Sequence, residues 1–212
     1  MASKNSKFTK DLYSTRRVEA LSDGVFSIAM TLLVLDLSVS SIGDITTNQQ
    51  LLSALNSELS TNFVSFIISF LLLGSMWAVH ARQFDSIKYA DRHLMTINNI
   101  RLLAVVLIPF TTSLAGRYPE IALATVLFPI NFMVLTIISS WQWNYATSKP
   151  ELYDKKELPE KTIKYLKIRN KIFASIAFIV VVLSLFIGSW AFLLFIPGSF
   201  ITMKVATSKI KS

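Results

Sequence analysis

The chain has 212 residues, of which 52% are hydrophobic and only 16% charged, with a formal net charge of +8 and a mean hydropathy of +0.51. That composition excludes an ordinary soluble domain and fits a polytopic membrane protein. It contains no Cys, so disulfide frameworks and thiolate metal sites are excluded.

A membrane span needs about 20 mostly apolar residues. Six segments qualify, at roughly 18–39, 61–81, 94–115, 120–145, 167–187 and 189–206. The fold class predicted is therefore all-α, with residues 1–212 forming one six-helix transmembrane domain. The first apolar run is long and lacks a small-x-small cleavage site, so it reads as a span rather than a signal peptide.

Span 1 is preceded by Lys4, Lys7, Lys10, Arg16 and Arg17 and carries Glu19, Ser22 and Asp23 at its start. Ionisable groups at the edge of a span are costly and usually functional. On a helical wheel of about 100° per residue, Gly24, Ile28, Thr31, Leu32, Leu35 and Val39 fall on one front stripe, with Asp23 to the rear. Aliphatic stripes usually pack on neighbouring helices. Here Ser22 and Asp23 need partners inside the protein, because lipid offers none. If the rear faces the subunit's own bundle, the front is free to face an axis shared with other copies. Rings of Ile28, Leu32 and Leu35 would then form a constriction about 10 Å long, of the kind that gates by dewetting.

Segment 41–60 is polar, and Asn48 to Leu59 has helical spacing, which predicts a short helix outside the membrane. Span 2 carries a lone histidine, His80, near its end. Span 3 carries Asn98, Asn99 and Arg101 at comparable depth, then Pro109, Thr111 and Thr112. The expectation is one buried network in which Arg17 or Arg101, Asp23, Ser22, His80, and Asn98 or Asn99 fix span 1 against spans 2 and 3. A pH-sensing role for His80 is the alternative to a structural one. Span 4 ends in Trp141-Gln142-Trp143-Asn144-Tyr145, which reads as an interfacial aromatic belt. Segment 147–166 is charged and broken by Pro150 and Pro159. Spans 5 and 6 meet at Gly188 and predict a tight antiparallel hairpin. Asp36 and Asp44 at the other membrane face would make an acidic mouth if several copies met there.

Lys and Arg concentrate before span 1, between spans 2 and 3, between spans 4 and 5, and at the C-terminus. The opposite side has only Arg117. This positive-inside pattern puts both termini in the cytoplasm and accounts for the net charge by topology, so no nucleic-acid partner is expected.

Arg17-x-x-x-Leu21-Ser22-Asp23, followed by Gly-Val-Phe-Ser-Ile-Ala-Met-Thr-Leu-Leu-Val-Leu, resembles the Arg-x-x-x-Phe-Ser-Asp signature of the transmembrane protein 175 family of potassium channels. Leu21 departs from the family's usual Phe. Trp77-Ala-Val-His80, Asn98-Asn99 and Pro109-Phe110-Thr111-Thr112 are similar to the family's second and third spans. Spans 4 to 6 resemble it only in number and hydropathy. The resemblance implies the single-repeat prokaryotic form, a multi-pass protein of the cell membrane assembling as a homotetramer. It implies potassium conduction through a pore lined by helix 1, with no conventional filter loop. It places the constriction on Ile28, Leu32 and Leu35, and selectivity on Thr31, where potassium ions would bind. Thr31 could instead bond back within its own helix, as threonines in membrane helices often do.

No cofactor and no enzymatic activity are expected: there is no His-Glu-x-x-His, only two His, and no Ser–Lys pair at plausible depth. The rival readings are a secondary transporter, for which Pro109 is the one hint of a broken helix, and a proton-conducting protein.

Overall fold

The computed structural model describes residues 12–37, 45–58, 63–153, 158–198, 201, 202 and 204. The first strand, β1 (Tyr13–Ser14), leads into α1 (Arg16–Leu32). Helix α2 (Asn48–Glu58) follows, then α3 (Val64–Phe84), β2 (Tyr89–Ala90), α4 (Arg92–Val106), α5 (Ile108–Arg117), α6 (Ala122–Ser148) and α7 (Glu160–Ile187). Five helical stretches are long and apolar enough to cross a membrane: Arg16–Leu35, Val64–Phe84, Arg92–Arg117, Ala122–Ser148 and Glu160–Gly198.

The last stretch, 39 residues long, folds back on itself. Gly188 makes the turn, with a φ of 58° that L side chains rarely adopt. Beyond it the chain runs as a 3-10 helix over Gly188–Leu194 and then as α-helix. The returning arm lies so close to α7 that a Cβ on Gly198 would sit 2.9 Å from Ile176 Cγ2. The hairpin expected at Gly188 is thus present, with a tightened first turn in its second arm.

Span 1 also departs from the expected single helix over 18–39. Its α-helix ends at Leu32 and tightens into a 3-10 turn over Leu33–Asp36. Span 3 divides into α4 and α5 at Leu107, because Pro109 has no N–H for the carbonyl of Val105. Asn131 of α6 reaches that break, and its Nδ2 donates to the Ala104 carbonyl at 3.2 Å.

Close packing without water needs small residues at helix contacts. Ala29, Ala104, Ala115, Ala177 and Ala191 supply them, all buried in one core with Phe26, Leu33, Leu73, Phe128, Phe132, Phe192 and Phe195. A second core lies at the end carrying β1 and β2, built on Val18, Phe84, Leu94, Trp143, Leu152 and Leu166. There β1 pairs antiparallel with β2, Tyr13 opposite Ala90, and Lys88 N–H donates to the Leu152 carbonyl at 2.8 Å. The segment before α1 and two connections, α3–α4 and α6–α7, are stitched together at this end of the bundle. Trp143 is correspondingly a core residue, whereas Trp141 is exposed. The interfacial-belt reading fails for Trp143, which lies about 200° around α6 from Trp141 and so faces the core.

Candidate functional site

Helix α1 divides into two faces. Ser22, Phe26, Ala29 and Leu33 are buried against α3, α4 and α5. Ile28, Leu32 and Leu35 keep 60%, 44% and 68% of their surface uncovered, and Gly24, Ser27 and Thr31 share that exposure. Leu21 is exposed on the same face, so the residue that replaces the family Phe does not pack inside its own subunit. Val39 and Asp44 lie outside the described residues, and Asp36 is described only as the end of the 3-10 turn.

The uncovered face of α7 provides a standard for judging this one. Between Phe178 and Ile187 its exposed residues are Phe178, Ile179, Val182, Leu185, Phe186 and Ile187, all apolar, as a lipid-facing surface requires. The uncovered face of α1 mixes aliphatics with Gly24, Ser27 and Thr31, and Asp23 is exposed at its edge. A surface meant for acyl chains would not carry that polar flank. Thr31 Oγ1 donates to the Ile28 carbonyl at 2.8 Å, so its proton is spent within the helix. Its oxygen lone pairs remain on the exposed side, which is the polarity a cation needs.

Behind this face, hydrogen bonds run in one direction from α4 and α6 into α1. Arg101 Nη1 donates to Gln142 Oε1 at 2.9 Å and to Gln83 Oε1 at 3.0 Å. Gln142 Nε2 donates to Asn98 Oδ1 at 3.0 Å. Asn98 Nδ2 donates to Ser22 Oγ at 3.1 Å, and Ser22 donates to the Val18 carbonyl at 2.7 Å. His80 Nε2 lies 2.9 Å from Asn98 Oδ1. That oxygen can only accept, so Nε2 carries the proton. The His80 ring stacks on Phe84 with centroids 4.4 Å apart.

Of the residues expected in one network, Ser22, His80, Asn98 and Arg101 come together. Arg17 and Asn99 are exposed and stand apart. Asn99 sits about 100° around α4 from Asn98 and so points away from the bundle. Asp23 is also outside the network: it is exposed, and Trp77 Nε1 donates to its Oδ1 at 2.8 Å. It lies between the buried and the open face of α1, on the side of α3. The sequence reading missed Gln83 and Gln142, both buried: Gln142 links Arg101 to Asn98, and Gln83 accepts from Arg101. Gln142 stands between two Trp of α6 and Gln83 follows Arg82 on α3, and neither setting says which helix the amide faces.

At the strand-bearing end, Asp91 caps α4 by accepting from Leu94 N–H at 2.8 Å. Tyr145 Oη donates to Asp91 Oδ2 at 2.6 Å, and Lys149 Nζ pairs with the same oxygen at 2.8 Å. Burial alone would raise the Asp91 carboxyl, but the bonds from Lys149, Tyr145 and Leu94 outweigh it and hold it below the ordinary value. The Lys149 ammonium is pushed up by its bonds to Asp91 and Tyr145.

This arrangement matches known proteins. A family model described as the endosomal/lysosomal potassium channel TMEM175 matches residues 17–109. A potassium channel of Chamaesiphon minutus is 33% identical over 145 residues, covering 67% of this chain and 70% of that one. A potassium channel of Streptomyces collinus is 30% identical over 142 residues, covering 65% and 67%. The mouse endosomal/lysosomal proton channel TMEM175 is 24% identical over 195 residues, 89% of this chain but only 38% of the mouse protein. Among solved structures, a lysosomal potassium-selective channel TMEM175 homolog from Chamaesiphon minutus superimposes with a TM-score of 0.70 at 25% identity, covering 93% of this chain and 98% of that one. The level of identity to the two bacterial channels, over two thirds or more of their length, decides the assignment: this chain belongs to the TMEM175 family of channels.

Proposed function

We propose that the protein is a potassium-selective ion channel of a prokaryotic cell membrane, assembled from four copies with both termini cytoplasmic. The observation that carries this reading is the uncovered mixed face of α1, contrasted with the uncovered apolar face of α7. Four copies of the α1 face around a common axis would bring rings of Ile28, Leu32 and Leu35 together as a hydrophobic constriction. Water leaves such a constriction readily, and conduction then depends on small changes in its width. Between those rings Thr31 presents oxygen lone pairs to a partly dehydrated cation. Potassium sheds water at lower cost than sodium, so few oxygens in a narrow apolar pore favour it modestly. The bacterial relatives are themselves potassium channels, which supports the same permeant ion.

The test is ion flux from proteoliposomes containing the purified full chain, potassium against sodium, beside Ile28→Asn and Leu35→Asn. Potassium-preferring flux that rises several-fold in both variants is expected. Thr31→Val should lower the potassium preference, because its side chain cannot present an oxygen. Flux that requires a counter-ion gradient would favour a transporter and return Ile28, Leu32 and Leu35 to ordinary packing. A pH-sensitive dye in the same vesicles reads the proton-conducting alternative, which the animal relatives' designation as proton channels makes worth measuring.

A further inference from the structure

A cavity of about 230 Å³ opens between α3, α6, α7 and the returning arm of the hairpin, away from the open face of α1. Its polar lining is Ser75, Arg82, Thr136, Tyr165, Arg169, Asn170 and Thr202, and no Asp or Glu contributes. Met76, Val79 and Phe173 form apolar walls.

The Ser75, Thr136 and Thr202 hydroxyls in this lining have already spent their protons. Ser75 donates to the Leu72 carbonyl, Thr136 to Phe132 and Thr202 to Gly198. Two nitrogen donors have not. Arg169 Nη2 and Asn170 Nδ2 are buried without a hydrogen-bond partner among the described residues. Asn170 as a whole is only 5% exposed. Burying a donor unpaired costs about 1–3 kcal/mol, and more for a charged one. The charges are unbalanced as well. Arg169 lies within electrostatic reach of Arg82, and Arg101 within reach of Arg169. The cavity, lined by Arg82 and Arg169, thus has donors, positive charge and no acid among its described lining residues.

We propose that this cavity binds a phosphate group, that of an anionic phospholipid in the leaflet at the Arg82 end of α3. A guanidinium and a phosphate match in charge and in bidentate geometry. Basic pockets between membrane helices are suited to anionic headgroups. The volume is several times the roughly 30 Å³ a water molecule occupies in the liquid, and the apolar walls suit the glycerol and the first acyl carbons. Arg169 and Asn170 donate to the phosphate oxygens, and exposed Arg82 supplies charge at the mouth.

The experiment measures binding of dioctanoyl phosphatidylglycerol, dioctanoyl phosphatidylcholine and inorganic phosphate to the purified full-length protein in detergent. Saturable binding of the phosphatidylglycerol, tighter than the phosphatidylcholine, is expected. Arg169→Gln and Asn170→Leu should each weaken it about tenfold. Arg82→Gln should weaken it about threefold, and because Arg82 is exposed that variant is safe for folding. If inorganic phosphate competes at millimolar concentration and depends on the same residues, the phosphate site stands and its occupant is the free ion. If phosphate does not compete, the occupant is the lipid. Affinity for phosphatidylglycerol that is unchanged in both Arg169→Gln and Arg82→Gln overturns the proposal. So does failure of every probe to bind because a carboxylate of a neighbouring copy fills the cavity.

Discussion

Two polar clusters hold this bundle, and they solve the same problem in opposite ways. At the strand-bearing end, Asp91 and Lys149 form an ion pair beside the Tyr145 hydroxyl. Deeper in the bundle, Arg101 is fully buried and touches no carboxylate among the described residues: Gln83, Gln142 and the Met76 carbonyl accept from its Nη atoms, and its Nε–H has no partner there. An ion pair near the edge tolerates water and is worth little. A cation in the interior, solvated only by fixed dipoles, makes every one of those dipoles matter. Because the Gln142 and Asn98 amides each pass a proton onward, the orientation set at Arg101 reaches Ser22 and the backbone of α1. The deep cluster positions the helix whose other face is open, while the edge cluster fastens loops.

The sharpest test of this contrast is Arg101→Ala. It orphans two glutamine carbonyls and opens a void, and is expected to cost about 3 kcal/mol, with hydrogen bonds to a charged donor at about 1.5–3 kcal/mol as the dominant part. Chemical denaturation in detergent reads this out. Arg101→Met refills the volume and removes the burden of a buried charge, so it should cost clearly less. Equal losses would mean that volume, not solvation of the cation, is what Arg101 supplies. Next in size is Asn98→Leu, which removes the one side chain joined to His80, Gln142 and Ser22 together. A loss of about 2 kcal/mol is expected. The neighbouring Asn99→Leu should change stability by less than about 0.5 kcal/mol, as exposed substitutions do. A comparable loss from both would place the relay elsewhere.

Much of this was readable without coordinates, and the reasons differ by element. The spans follow from hydropathy because lipid forces each crossing to be a continuous helix. The turn at Gly188 follows from a glycine between two apolar runs. The open face of α1 follows from a wheel, since Gly24, Ile28 and Leu35 need only helical spacing to align. Choosing Asn98 over Asn99 was also within reach: Leu94, Ile97, Asn98, Arg101, Leu102 and Val105 are spaced as one buried stripe, and Asn99 is off it. The participation of Gln83 and Gln142 was not legible, because it depends on the axial register of α3 and α6 against α4. Asp23 was misplaced for a related reason. Its carboxylate needed a partner, and nothing local says that an indole N–H on α3, at Trp77, lies nearer than the buried amides.

The edge cluster should give the smallest and most pH-dependent response. Asp91→Ala removes a helix cap and should cost about 1 kcal/mol at neutral pH. Asp91→Asn keeps a capping oxygen and loses only the charge, so it should cost about 0.5 kcal/mol, the scale of a partly exposed ion pair. The native carboxyl lies below its ordinary value of 3.8. The advantage of wild type over Asp91→Asn is therefore fully present above that value and is lost as pH falls through the lower native one. On the alkaline side it is fully present below 10.5, the ordinary lysine value, and is lost as pH rises from there through the raised native value of Lys149. Thermal unfolding of both proteins from acid to neutral pH measures the difference directly. A gap that stayed constant through the acid range would mean that the Asp91 charge contributes nothing and that the cap and the Tyr145 hydroxyl fasten this end alone. A gap that widened on acidification would reverse the sign of the linkage and place an uncompensated negative charge near Asp91.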